Sequence, residues 1–157
     1  MLKKYLLVFF VSMGPLIELR VAVPMAVTMD LEYWSALIIC VIGNMLPVPV
    51  IYLFARKVLL WGAEKKFIGK FFTYCLTKGE HGGQRLVAKT GRGGLFLALL
   101  LFVGIPLPGT GAWTGTLAAS FLNMGLKSTS LAVSLGVILA GIIMGIGSHT
   151  ALHVFGL

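Results

Sequence analysis

A chain of 157 residues that is 58% hydrophobic and 11% charged departs from ordinary soluble domains, where about 25% of residues are charged. That balance excludes a soluble globular core and predicts one polytopic membrane domain, residues 1–157. The net charge of +8 does not point to nucleic acid, because nine of the thirteen basic residues cluster between positions 56 and 92, opposed only by Glu64 and Glu80. A basic stretch between apolar segments is what the positive-inside rule expects of a cytoplasmic loop, and its natural partners are anionic lipid headgroups.

The first apolar segment covers residues 5–29. Lys3 and Lys4 resemble the start of a signal peptide. The run that follows is too long and lacks a small-x-small cleavage site, so the segment is expected to stay in place. It carries Glu18 and Arg20 between Pro15 and Pro24. A charge at the bilayer centre costs about 2.5–3.5 kcal/mol, and such residues default to function. Positions two apart point about 200° from each other on a helix. Both charges can therefore face one cavity only if the helix breaks between the prolines. Otherwise one of them finds its partner on another helix. Arg20 suits a phosphate or carboxylate and Glu18 a proton; alternatively the two form an ion pair that pins the fold.

Asp30 and Glu32 end this segment, and Tyr33 and Trp34 suit the membrane interface. The second apolar segment, 35–55, contains Asn44 followed by Pro47 and Pro49, which predict a kink facing protein. Asn44 is either a substrate contact or a helix-to-helix hydrogen bond. The region 56–94 reads as an amphipathic surface helix and a loop. Leu60, Trp61, Phe67, Ile68, Phe71 and Phe72 lie opposite Lys57, Lys65, Lys66 and Lys70. From Lys78 to Gly94 the glycines predict a flexible loop or a short, weakly capped helix.

The third segment, 95–122, is interrupted by Pro106, Pro108, Gly109 and Gly111. Proline removes a backbone donor and glycine permits a tight turn, so two half-helices joined at membrane depth are expected. Thr110, Trp113 and Thr114 would add hydroxyls and an indole N–H there, and the half-helix after Gly111 would aim its amide groups into a cavity. The plainer reading leaves these residues as a turn and its packing. The fourth segment, 129–157, holds Gly141 and Gly145, a spacing that permits close helix association in lipid or simply reflects the abundance of glycine there.

Cys40 and Cys75 have no disulfide or metal-ligand spacing. His149 and His153 lie four apart, but no third ligand accompanies them. No nucleophile–base set, phosphate loop or redox motif occurs, so neither an enzyme, a metal site nor a cofactor is expected.

Three stretches carry a resemblance: Glu18-Leu-Arg-Val-Ala-Val-Pro24, Gly43-Asn-Met-Leu-Pro-Val-Pro49, and Ile105-Pro-Leu-Pro-Gly-Thr-Gly-Ala-Trp-Thr-Gly115. Together they resemble the small multidrug export protein family over nearly the whole chain, with Val21 where that pattern leads one to expect glycine. The family is similar to the DedA (VTT-domain) membrane proteins, whose likeness implies two inverted re-entrant hairpins, each followed by a membrane helix. The resemblance implies transport, and the DedA likeness implies a lipid-linked phosphate as cargo.

The expected architecture is all-α and integral to the membrane. It has two inverted half-repeats (5–55 and 95–157), each a broken or re-entrant hairpin plus a transmembrane helix, with the basic region 56–94 on the cytoplasmic side of the cell membrane. The expected function is a secondary, proton- or ion-coupled exporter or flippase of small amphipathic or anionic substrates, working as a homodimer or higher homo-oligomer. The alternative is a non-transporting assembly or structural protein in which Glu18 and Arg20 are a folding device.

Overall fold

A computed structural model describes residues 1–15, 17–65, 69–107 and 110–155, the helical side chains at 59, 72, 75, 76, 79, 80, 82, 83, 86, 152, 153 and 155 aside. Among the described residues seven helices follow in order: α1 (Leu2–Ser12), α2 (Glu18–Thr28), α3 (Tyr33–Met45), α4 (Pro47–Ala63), α5 (Gly69–Gly104), α6 (Ala112–Phe121) and α7 (Leu126–Phe155). Among the described residues three stretches are long and apolar enough to cross a membrane: Tyr33–Ala63, Val87–Gly104 and Leu126–Ala151. The all-helical, multi-pass expectation holds at this level.

The burial pattern explains why bilayer rather than water suits these helices. On α3 and α4 one stripe is buried (Leu37, Cys40, Asn44, Val48), while Ile38, Ile42, Leu46 and Val50 are each more than half exposed. Large apolar residues on both faces of a helix require an apolar surrounding. Glu32 starts α3 by accepting the amide hydrogens of Trp34 and Ser35 at 3.0 and 2.7 Å. Leu46 keeps helical dihedrals between α3 and α4, so the expected kink is a local interruption. It arises because Pro47 has no N–H for the carbonyl four residues back.

Each broken segment doubles back. α1 has 11 residues, about 16 Å of helix at 1.5 Å per residue and roughly half of a hydrocarbon core about 30 Å thick. The Lys4 ammonium donates to the Met29 carbonyl at 2.9 Å, setting the start of α1 beside the end of α2. In the second half, Arg92 and Leu95 of α5 line one cavity with Leu122 and Asn123 from the end of α6. α3 and α4 run antiparallel to α7. Tyr33, at the start of α3, donates to the Gly141 carbonyl midway along α7 (3.1 Å), and Tyr52 of α4 donates to the Met124 carbonyl just before α7 begins (2.8 Å). The Lys4–Met29 end of α1 and α2 and the Arg92–Leu122 end of α5 and α6 therefore lie at different levels along α7.

Both halves also use the same local devices, 93 residues apart (30 to 123, 31 to 124, 33 to 126, 43 to 136). At the end of α2, Asp30 takes a left-handed conformation (φ 55), and the amides of Asp30 and Leu31 return to Val27 and Ala26. At the end of α6, Asn123 does the same (φ 54), and the amides of Asn123 and Met124 return to Ser120 and Ala119. This double return is a Schellman cap, and Asp and Asn are the non-glycine residues that tolerate its left-handed position. α1 passes so close to Gly43 that a Cβ there would meet the Phe9 carbonyl at 2.7 Å. At Gly136 it would meet the Leu100 carbonyl of α5 at 2.8 Å.

Several expectations need correction. Residue 56 does not begin a new helix, because α4 continues to Ala63. Of the flexible loop or short helix expected from 78 to 94, the structure has helix, continuous with α5 and interrupted at Gly91 (φ 72, ψ 174); its glycines lower helix propensity without abolishing the helix. Pro24 lies inside α2 rather than at a turn, leaving the Arg20 carbonyl without a partner from position 24. Gly141 and Gly145 face Leu37, Leu19 and Tyr33 of the same chain, so that surface is used internally. Lys66, Phe67, Ile68, Pro108, Gly109 and Leu157 lie outside the described residues, as do the side chains of Phe72, Cys75 and His153. Of the amphipathic set, Leu60, Trp61 and Phe71 are at least half exposed, and the Lys65 ammonium lies 4.6 Å from the Trp61 ring centre.

Candidate functional site

The two interrupted turns meet. α1 ends at Ser12, Pro15 lies in the connection, and α2 begins at Glu18 with φ 48, a left-handed angle rare for glutamate. Opposite it the chain leaves α5 at Gly104, passes Pro106 and begins α6 at Ala112, with Gly111 as N-cap (φ 156). Glu18 is 6% exposed. Its carboxylate accepts the amide hydrogens of Ala112 (3.3 Å) and Trp113 (3.1 Å).

The first turn of a helix has amide hydrogens with no internal partner and a partial positive charge. The end of α6 has no acid or capping side chain of its own, and Glu18 supplies one from 94 residues away. Gly111 is required for this approach, because a Cβ there would overlap the Glu18 carboxylate. Hydrogen bonds to charged groups contribute roughly 1.5–3 kcal/mol each. Two of them offset the burial of a carboxylate on the scale that membrane insertion demands.

Arg20 takes a different partner. Its Nη2 donates to the Thr110 hydroxyl at 2.6 Å. Thr110 Oγ1 also lies 2.9 Å from the carbonyls of Ile105 and Leu107, so the hydroxyl accepts from the guanidinium and donates its one hydrogen back into its own turn. Guanidinium has five N–H donors, and Arg20 is only partly buried. Trp113 completes the junction: its indole Nε1 donates to the carbonyl of Met13 at 3.2 Å, satisfying one of the free carbonyls where α1 ends.

Of the predicted site residues, the structure gathers Glu18, Arg20, Thr110 and Trp113, with Pro15 and Gly111 in the turns that carry them. Pro106 lies in the same connection. Thr114 is exposed, and its hydroxyl returns to the Gly111 carbonyl at 3.4 Å. Asn44 is buried beside Gly43, and its Oδ1 has no hydrogen-bond partner among the described residues. His149 packs edge-on against Tyr33, ring centres 5.9 Å apart. No group of three metal-ligating side chains occurs among the described residues.

The open N-terminus expected on α6 is already occupied by Glu18, a role the sequence reading missed. The signal lay in the two segments together: a carboxylate with no local partner in one, and an uncapped half-helix preceded by glycine in the other.

Residues 18–143 match the family described as "Putative small multi-drug export protein". No curated protein and no solved structure matches the chain. The matched region holds Glu18, Arg20, Thr110, Gly111 and Trp113, with Met13 and Pro15 just before it, and the chain belongs to that family.

Proposed function

We propose that this member of the small multi-drug export family is a secondary transporter that moves small amphipathic anions across the cell membrane, coupled to protons. Two inverted half-repeats, each entered by a re-entrant hairpin, form the framework of this reading. The different levels along α7 of the Lys4–Met29 and Arg92–Leu122 ends, and the devices repeated 93 residues apart, support it. Transporters place their sites where discontinuous helices meet near the bilayer midplane.

The observation that carries the reading is the Glu18 carboxylate seated on the N-terminus of α6, beside the partly buried guanidinium of Arg20, which donates to Thr110. A solute anion suits the same amide hydrogens. Protonation of Glu18 removes its negative charge and leaves the N-terminus and Arg20 to the solute, so proton and anion occupy the centre together. Deprotonation returns the carboxylate and displaces the anion. The basic side, around Arg56 and Arg92, is assigned to the cytoplasm, and the working unit to a homo-oligomer, since so few helices enclose a pathway poorly alone.

The test is release of sulforhodamine B, an amphipathic anion, from vesicles containing purified protein. The parent should release dye faster than protein-free vesicles, and Arg20→Ala should fall to the protein-free level while keeping its helical content and elution volume. A folded Arg20→Ala that transports like the parent contradicts the site, and a parent that releases nothing contradicts the anion reading. A fluorescent lipid phosphate in a second arm reads out flipping.

The completeness of the Glu18–α6 contact favours one other reading, a non-transporting assembly protein in which that contact is a folding lock. In that case no probe moves, and Glu18 variants change only stability.

A further inference from the structure

A second feature lies away from this centre. A cavity of about 750 Å³ opens between α5 and the α6–α7 connection. One face of α5 lines it through Gln84, Val87 and Arg92, and the opposite wall includes Asn123, Gly125 and Lys127. Among the described residues its lining contains two cations and no carboxylate. A third cation stands behind: the Arg56 guanidinium donates to the Asn123 side-chain carbonyl. Apolar residues, among them Leu95, Leu122 and Met124, complete the wall.

The first turn of α7 opens on this cavity, with no acidic residue in it. Its counterpart 93 residues earlier, the first turn of α3, carries its own carboxylate, since Glu32 accepts from Trp34 and Ser35. Gly125 stands at the corresponding position on α7, and a Cβ there would meet nothing within 4 Å. Where one half of the chain supplies an anion, the other leaves room, amide hydrogens, Arg92 and Lys127. The cavity lies where two apolar spans, Val87–Gly104 and Leu126–Ala151, begin, the level at which lipid phosphates lie.

We propose that this cavity binds the phosphate of an anionic membrane lipid, held by Arg92, Lys127 and the first turn of α7, with the acyl chains continuing along the apolar wall. Lipid phosphate and soluble phosphate share the recognised group. The apolar wall and the position at the start of two spans favour the lipid. The proposal is independent of transport and is tested by binding alone.

Native mass spectrometry of the detergent-solubilised full chain, titrated with phosphatidylglycerol, phosphatidylcholine or inorganic phosphate, reads it out. The parent should retain phosphatidylglycerol in preference to phosphatidylcholine. The double variant Arg92→Gln/Lys127→Gln should bind phosphatidylglycerol about tenfold more weakly or worse. Gly125→Glu, which places a carboxylate where α3 has Glu32, should also lose the lipid while remaining as heat-stable as the parent. Arg85→Gln/Lys89→Gln, removing two exposed cations of α5 that do not line the cavity, should retain it. Equal retention of the two lipids, equal loss in the Arg85/Lys89 variant, or unchanged binding by the Arg92/Lys127 variant would overturn the site. Saturable binding of inorganic phosphate without lipid retention would overturn the lipid assignment.

Discussion

The two turns that meet at the centre are built on matching frameworks but carry opposite chemistry. Behind each, a helix ends in a Schellman cap with Asp30 or Asn123 in the left-handed position. Each is braced by a helix passing over a glycine, Gly43 or Gly136. At the tips the likeness stops. The first half contributes side-chain charge through Glu18 and Arg20; the second contributes amide hydrogens, the Thr110 hydroxyl and the space at Gly111. The framework holds two segments at one place, and the difference between their tips lets each satisfy the other. A symmetric pair of acidic tips would repel, and a symmetric pair of glycine tips would leave two helix ends uncapped.

Substitutions can break this comparison at several levels. The largest effect is expected at Gly111→Ala, which forces a methyl group into the Glu18 carboxylate. Overpacking costs about 1–3 kcal/mol and the disturbed buried hydrogen bonds a similar amount, so its thermal unfolding in detergent should lie well below the parent's. Glu18→Ala comes next. It leaves the Ala112 and Trp113 amides without their acceptor, a loss of about 1–3 kcal/mol, and Glu18→Gln should recover part of it because one oxygen remains to accept. A Glu18→Ala variant as stable as the parent would remove the asymmetry between the tips.

The shared framework predicts matching losses for Gly43→Ala and Gly136→Ala, each about 1–3 kcal/mol from overpacking. A large loss in one and none in the other would show that the two halves are braced differently. The smallest effect belongs to Glu32. The Ser35 hydroxyl, the Ser35 amide and the Trp34 amide hold its carboxyl below the ordinary value of 4.5. A carboxyl depressed in the folded state stabilises above its unfolded value, and that contribution is lost as pH falls through the folded value. The small difference in melting temperature between the parent and Glu32→Gln should therefore be present at pH 6 and vanish in strong acid.

Much of this framework was legible because proline and glycine interrupt apolar runs only at a cost. The breaks around Pro15 and between Pro106 and Gly111 followed from that, and the two-residue spacing of Glu18 and Arg20 implied separate partners or a broken helix. The identity of those partners was not legible, since an amide hydrogen on α6 carries no side-chain signature. Pro24 misled because its helix tolerates one missing bond. The glycines from 79 to 94 left loop and helix both open because propensity is a weak prior in a long helix. Gly141 and Gly145 were visible as a close-packing surface, but spacing alone does not distinguish a second copy from Leu19, Leu37 and Tyr33 of the same chain.

The central claim is that a transported anion and the Glu18 carboxylate compete for one helix end. The most direct measurement is the response of sulforhodamine B flux to an imposed pH gradient in vesicles holding the parent or Glu18→Gln. The gradient should accelerate flux through the parent and leave Glu18→Gln, with its permanently neutral side chain, exchanging dye at a rate indifferent to pH. Gradient-driven acceleration that survives in a folded Glu18→Gln would contradict the account.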